Sequence, residues 1–274
     1  MKKAGSILIP IAVFAVVFIF FRQVFGSTRM NPLVMLGIIA VCLIGSTMLR
    51  PRKSGSKGTV DATFSLLGDY SKEAFSYDEQ LSAHFQSAVS DFLNSMPKSA
   101  TKKLEQLQPH CKTDADTYAV SVALGMIKCY DDDHAAAIKL FNRAVVLHPT
   151  AQLADAIGAA HQRIGELEQA MDSYEFALDL DPDALDIRAK LATAYVADGK
   201  FHAAIDHAQQ VLDRQENHTS ALATIAICHG ALGNEDLSQG YAARASEAGY
   251  SAEKITATIT ALKKKYKKTL EALK

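Results

Sequence analysis

Hydrophobic and polar positions change their rhythm twice along the chain. Ala4–Phe21 and Leu33–Leu49 are apolar runs without a charge, closed by Arg22 and Arg50. At ~1.5 Å per residue each reaches about 26 Å as a helix, enough for a bilayer core at its short end. From Arg50 to Thr59 the chain reads RPRKSGSKGT, the composition of a flexible basic linker, and 51–78 is expected as linker and connector. Beyond it the apolar residues recur three and four apart, predicting helices throughout. Leu81, Phe85, Val89 and Phe92 share one face, and after Pro97 so do Ala100, Leu104 and Leu107. These predict a degenerate first helix pair over 79–112. Ser251 is placed to cap a last helix, 252–274, with Ile255, Ile259, Leu262, Tyr266 and Leu270 on one face.

Between these flanks the pattern repeats. Gly165, Gly199 and Gly233 are 34 residues apart. Five residues after each comes Ala170, Ala204 or Ser238, and seven further Ala177, Val211 or Ala245; seven before each glycine stands Gly158, Ala192 or Ala226. Gly125, Ala137, Phe141 and Ala144 keep the pattern one copy earlier, shifted by 33. Small residues at fixed offsets mark close helix crossings, and the recurring glycine suits a left-handed helix end. Helix pairs stacked side by side satisfy both.

Over 117–251 the chain resembles the tetratricopeptide repeat family. The segment Ile157–Pro182, IGAAHQRIGELEQAMDSYEFALDLDP, follows that family's pattern nearly throughout, including the proline that closes the second helix. Pro149 repeats it one copy earlier, whereas Glu216 and Tyr250 depart from it. The family's first-helix aromatic is Tyr195 in one copy but Lys128, His161 and His229 in the others. The resemblance implies an all-α, TPR-like α-solenoid of four repeats over 113–251, here preceded by an N-terminal transmembrane hairpin. It also implies a peptide- or protein-binding groove lined by first helices. The residues expected there are Val122 and Met126 from one copy; Asp155, Ala156, Ala159, Gln162 and Arg163 from the next; and Asp186, Ala189, Lys190 and Thr193 from the third. The family's clamp for C-terminal carboxylates uses Lys, Asn and Arg on these faces; Asp155 and Asp186 oppose it.

Charge then orients the chain. Residues 1–60 hold eight Lys/Arg and no Asp or Glu, a net of +8; the other 214 hold 21 Lys/Arg against 30 Asp/Glu, a net of −9. Lys2 and Lys3 flank the first run, and Arg50, Arg52, Lys53 and Lys57 follow the second, leaving only Arg22 and Arg29 in the connection. Both ends of the hairpin are therefore expected in the cytoplasm, with the repeats on that side of a plasma membrane, a bacterial one being expected. A cleaved signal peptide ahead of one anchor helix is the alternative; its best cleavage point, after Gly26, matches the small-x-small pattern poorly. Either arrangement leaves the repeats cytoplasmic.

Residues 61–251 carry 14 Lys/Arg against 28 Asp/Glu, which disfavours nucleic acid as a partner. Basic charge returns in Lys263, Lys264, Lys265, Lys267 and Lys268, expected in solvent and available to anionic lipid headgroups or to an acidic surface. No glycine-rich phosphate loop, no His-Glu-x-x-His and no Cys-x-x-Cys occurs. His202 and His207, five apart, do not share a helix face, and His161 and His229 fall at packing positions. Asp131-Asp132-Asp133 reads as a capping turn rather than a metal cluster. Cys42, Cys111, Cys129 and Cys228 read as free thiols in helical patterns. Hence no catalytic, cofactor or metal residue is expected, and the chain is expected to work as a membrane-anchored adaptor or scaffold for proteins. The alternative is a small structural subunit or assembly factor of a membrane complex, with the hairpin as its working part. The absence of a charge at mid-depth in either run argues against a transport path.

Overall fold

A computed structural model describes Leu67 and residues 70–267, all within one compact unit, Lys57–Lys274. The runs Ala4–Phe21 and Leu33–Leu49, the basic linker, Cys42, Lys268 and Leu270 lie outside the described residues. Among the described residues no helix is long and apolar enough to cross a membrane, and all regular structure is helical.

The helices are α1 (Tyr70–Glu73), α2 (Glu79–Leu93), α3 (Pro97–Leu107), α4 (Asp114–Tyr130), α5 (His134–Leu147), α6 (Ala151–Ile164), α7 (Leu167–Leu180), α8 (Leu185–Asp198), α9 (Phe201–Arg214), α10 (Thr219–Leu232), α11 (Glu235–Glu247) and α12 (Ala252–Lys265). A 3-10 turn, Gln108–His110, separates α3 from α4. Connections of two to four residues within the repeats make sequential helices antiparallel neighbours. From α4 onward, α4/α5, α6/α7, α8/α9 and α10/α11 form pairs, each second helix also packing on the next first helix.

Local chemistry explains the boundaries. Thr113 and Asp116 form a reciprocal capping box on α4, and Asp133, Thr150 and Ser251 each accept an N-terminal amide of α5, α6 and α12. Gly165, Gly199 and Gly233 end α6, α8 and α10 with φ of 87°, 83° and 91°. In the first repeat, 33 residues before Gly165, that left-handed corner is Asp132, with φ 62°. Aspartate tolerates the conformation because its short polar side chain can bond locally.

Packing inside each pair is set by size complementarity. A Cβ on Gly125 would lie 2.5 Å from the Phe141 ring, and one on Gly158 would lie 2.8 Å from Tyr174. One repeat later the same two positions are Ala192 and Ala208, both buried. Large against none has become small against small. Ala170, Ala177 and Ala204 are wholly buried at the crossings.

The connector at the end of 51–78 is packed: Leu67, Ala74 and Phe75 are buried in the N-terminal core. Its anchor is Asp116, itself wholly buried. Its carboxylate accepts the Phe75 N–H at 2.7 Å, Lys112 N–H at 2.9 Å, Thr113 N–H at 3.0 Å and the Tyr77 hydroxyl at 3.0 Å. Burial would push this carboxyl up; the four donors more than offset it and hold it below the ordinary carboxylate value.

Candidate functional site

The first helices α4, α6 and α8 present the residues expected to meet a partner, and the structure sorts them by what they already touch. Val122 is wholly buried in the N-terminal core, so it supports the face from beneath rather than lining it. Ala189 is buried as well, while Met126, Ala156 and Ala159 are half-buried. Arg163 is exposed in the last turn of α6, where a cation opposes the helix dipole.

The polar members pair across the repeats. Lys190 Nζ donates to both oxygens of Asp155, at 2.6 and 2.8 Å, tying α8 to α6. Gln162 accepts the Tyr174 hydroxyl at 3.0 Å, and the Thr193 hydroxyl donates to the Lys190 carbonyl of its own helix at 2.7 Å. Asp186 lies 3.0 Å from His218 Nε2, linking α8 to the start of α10. His218 is also the N-cap of α10: its Nδ1 accepts the Ala221 N–H, so Nε2 carries the proton that Asp186 receives. Sequence reasoning passed over His218 because a capping histidine has no composition signal. It passed over Tyr174 because an aromatic at a packing position gives no hint of its hydroxyl.

The resulting face is small in side chain along Ala156, Ala159 and Thr193 and carries the Asp155–Lys190 ion pair. A partner laid over it meets few uncompensated charges, so binding there would rest on shape and on hydrogen-bond exchange with Gln162, Asp155 and Lys190.

Among the described residues the cysteines are poor nucleophiles. Burial pushes the Cys129 and Cys228 thiols up to about 11 and about 12, and burial together with Asp116 raises Cys111. All three stay protonated at neutral pH. Cys111 follows the 3-10 turn rather than lying in a helix, and with Cys129 it is only half-buried. Asp131 and Asp133 flank the α4–α5 turn as caps. Burial and the nearby Arg188 lower His207, which stacks on Tyr195 at 5.3 Å; burial and His202 lower His229.

Lys263, Lys264, Lys265 and Lys267 are exposed, as expected. Two of them also reach the repeats: Lys263 pairs with Glu235 at 3.0 Å, and Lys265 donates to the Ala197 carbonyl at 3.0 Å.

No protein-family model matches the chain. Photosystem I assembly protein Ycf3 of Synechococcus elongatus is 33% identical over 86 residues, covering 30% of this chain and 50% of that protein. The chain thus spans about half the length of the curated relatives it matches. Among solved structures, two of MamA superpose with TM-scores of 0.56 and 0.54 at 19% and 20% identity, covering 62% and 59% of this chain and 92% and 93% of theirs. A Podosopora anserina kinesin light chain with nearly identical TPR-like repeats gives 0.52 at 16% identity, over 62% of this chain and 94% of that one. At these identities the likeness establishes the fold, a TPR-like stack of helix pairs.

Proposed function

We propose that this chain is a membrane-anchored adaptor whose repeats bind protein partners along the first-helix face of α4, α6 and α8. The observation that carries the reading is the Asp155–Lys190 pair beside half-buried Ala159 and Thr193. The face is pre-formed, held in register between repeats, and small enough in side chain to admit another backbone. The apolar runs 4–21 and 33–49 would hold the domain at the cytoplasmic membrane surface, and the chain would act by recruitment rather than catalysis. The 86-residue likeness to a photosystem assembly protein favours one form of this role, assistance in building a membrane complex, with a subunit of that complex as the partner.

The test is affinity purification of the tagged full chain from detergent-solubilised membranes of its own cells, beside the variant Ala159→Arg. The substitution is half-exposed and leaves the buried crossings alone. Unchanged helicity with loss of the co-purifying proteins is the expected result. An identical partner set in both samples would remove the first-helix face from the function.

A further inference from the structure

The last helix is seated unlike any other. α12 packs chiefly on α10, less on α11, and reaches past α10 to the far end of α8. Two glycines form its seat. A Cβ on Gly230 would clash with Ile259, and one on Gly199 would lie 2.7 Å from the Tyr266 ring. Gly165 and Gly233 hold the same repeat position as Gly199, yet a Cβ on either would meet nothing within 4 Å. The Tyr266 ring also stands edge-on to Phe201 at 5.8 Å.

Polar groups finish the seat. The Ala197 carbonyl, in the last turn of α8, has no intrahelical partner to expect and sits at the negative end of the helix dipole. It accepts from both the Tyr266 hydroxyl and Lys265 Nζ. Glu235, at the start of α11, takes Lys263. Ile227, one repeat on from Thr193 on the first-helix face, is buried in the cluster that holds Ile255 and Leu262. Half-buried at Ala159 and Thr193, this face is buried at Ile227.

α12 is the last described helix and, like α11, buries only two residues fully, Ile255 and Leu262, whereas α10 buries ten. A terminal helix with so few buried apolar contacts belongs to the low-stability end of a fold. We propose that α12 is an intramolecular ligand, occupying a seat on α8 and α10 that receives a partner's amphipathic helix when α12 leaves. The chemistry of the seat defines that helix. It carries apolar residues four, three and four apart, as at 255, 259, 262 and 266, ends in an aromatic hydroxyl, and brings lysines in its last turn. This inference rests on the adaptor reading and extends it to regulation of the same face.

Two measurements on the full chain in detergent test it. Hydrogen exchange of the α12 amides should run at least about a hundredfold faster than that of α10, reflecting separate opening. Equal protection in both helices would overturn the proposal. The second uses a fluorescent peptide of residues 251–267 against the parent and against Ile259→Ala/Tyr266→Ala, which weakens α12 and leaves the seat intact. The peptide should bind the double variant at least about tenfold more tightly, because the internal competitor is less populated. Adding Gly230→Leu should abolish that gain. Equal affinity for parent and double variant, or collapse of the whole domain in the double variant, would make α12 a fixed cap. Partner capture in Ala159→Arg reads the α4–α8 face and the peptide reads only the α8–α10 end, so either can fail without the other.

Discussion

Replacing Asp116 by alanine should release the connector from the repeats. The carboxylate gathers four donors, and they do not fare equally without it. Lys112 and Thr113 are exposed and can turn their amides to water; Phe75 is wholly buried and cannot. An orphaned buried N–H costs about 1–3 kcal/mol, and the lost charge-assisted bonds to the helix start and Tyr77 add roughly 1 kcal/mol more. The sum is about 3 kcal/mol. Phe75 makes the release local. Its φ of 58° is unusual for a bulky residue and persists only where its surroundings enforce it. Without its acceptor, Phe75 can relax toward an ordinary conformation, and Leu67 and Ala74 lose their hold with it. The assay is hydrogen exchange of 70–77 in the full chain across pH. Because the folded carboxyl titrates below its unfolded value, its contribution is complete above that value, about pH 4, and fades as pH falls through the folded one. The parent should therefore keep 70–77 protected at neutral pH and lose protection on acidification below about pH 4. The variant should be unprotected throughout. Full protection of Phe75 in Asp116→Ala at pH 7 would refute the reasoning.

Ala170→Leu or Ala204→Leu should each lower stability by roughly 1–3 kcal/mol, because both alanines are wholly buried at helix crossings, and a denaturant melt would read it. Gly165→Ala and Gly233→Ala should each cost about 1 kcal/mol for the left-handed backbone alone. Gly199→Ala should cost more in the same melts, since its Cβ also displaces Tyr266; equal costs at all three would contradict the seating of α12. For topology, a cysteine near Gly26 should label from outside the cell and a reporter at Lys274 should not. Labelling of Lys274 from outside would overturn the cytoplasmic placement of the repeats.

The helix pairs were readable in the sequence because a 34-residue period leaves a residue-level trace: a left-handed corner accepts glycine, and a tight crossing accepts alanine. Where another residue solves the same problem the trace fades, as at Asp132, which makes the glycine's corner with a different side chain. Connector packing left no trace at all. Phe75 sits in a stretch without a clear helical apolar period, and its partner Asp116 lies 41 residues away. The surface contacts of the α12 lysines left no trace for a related reason. Helical spacing places Lys263 and Lys265 off the apolar face, yet long side chains reach groups beyond that face, here Glu235 and the end of α8.

The first-helix face shows where repeat logic itself runs out. Equivalent positions lie one period apart, so Asp155 corresponds to Ala189, and no attraction between them is expected. The bonds that join neighbouring first helices instead span 35 residues at Asp155–Lys190 and 32 at Asp186–His218. Side chains lean along the helix and reach a neighbour beside the equivalent position, not at it. This offset has a functional consequence. Read singly, Asp155, Asp186 and Lys190 look like charges waiting for a ligand; paired, Asp155 and Lys190 neutralise one another, and Asp186 spends one oxygen on His218. On the proposed function, the face would select partners by shape more than by charge. That requirement favours a preformed helix over an extended charged peptide, and the chain already carries such a helix in α12.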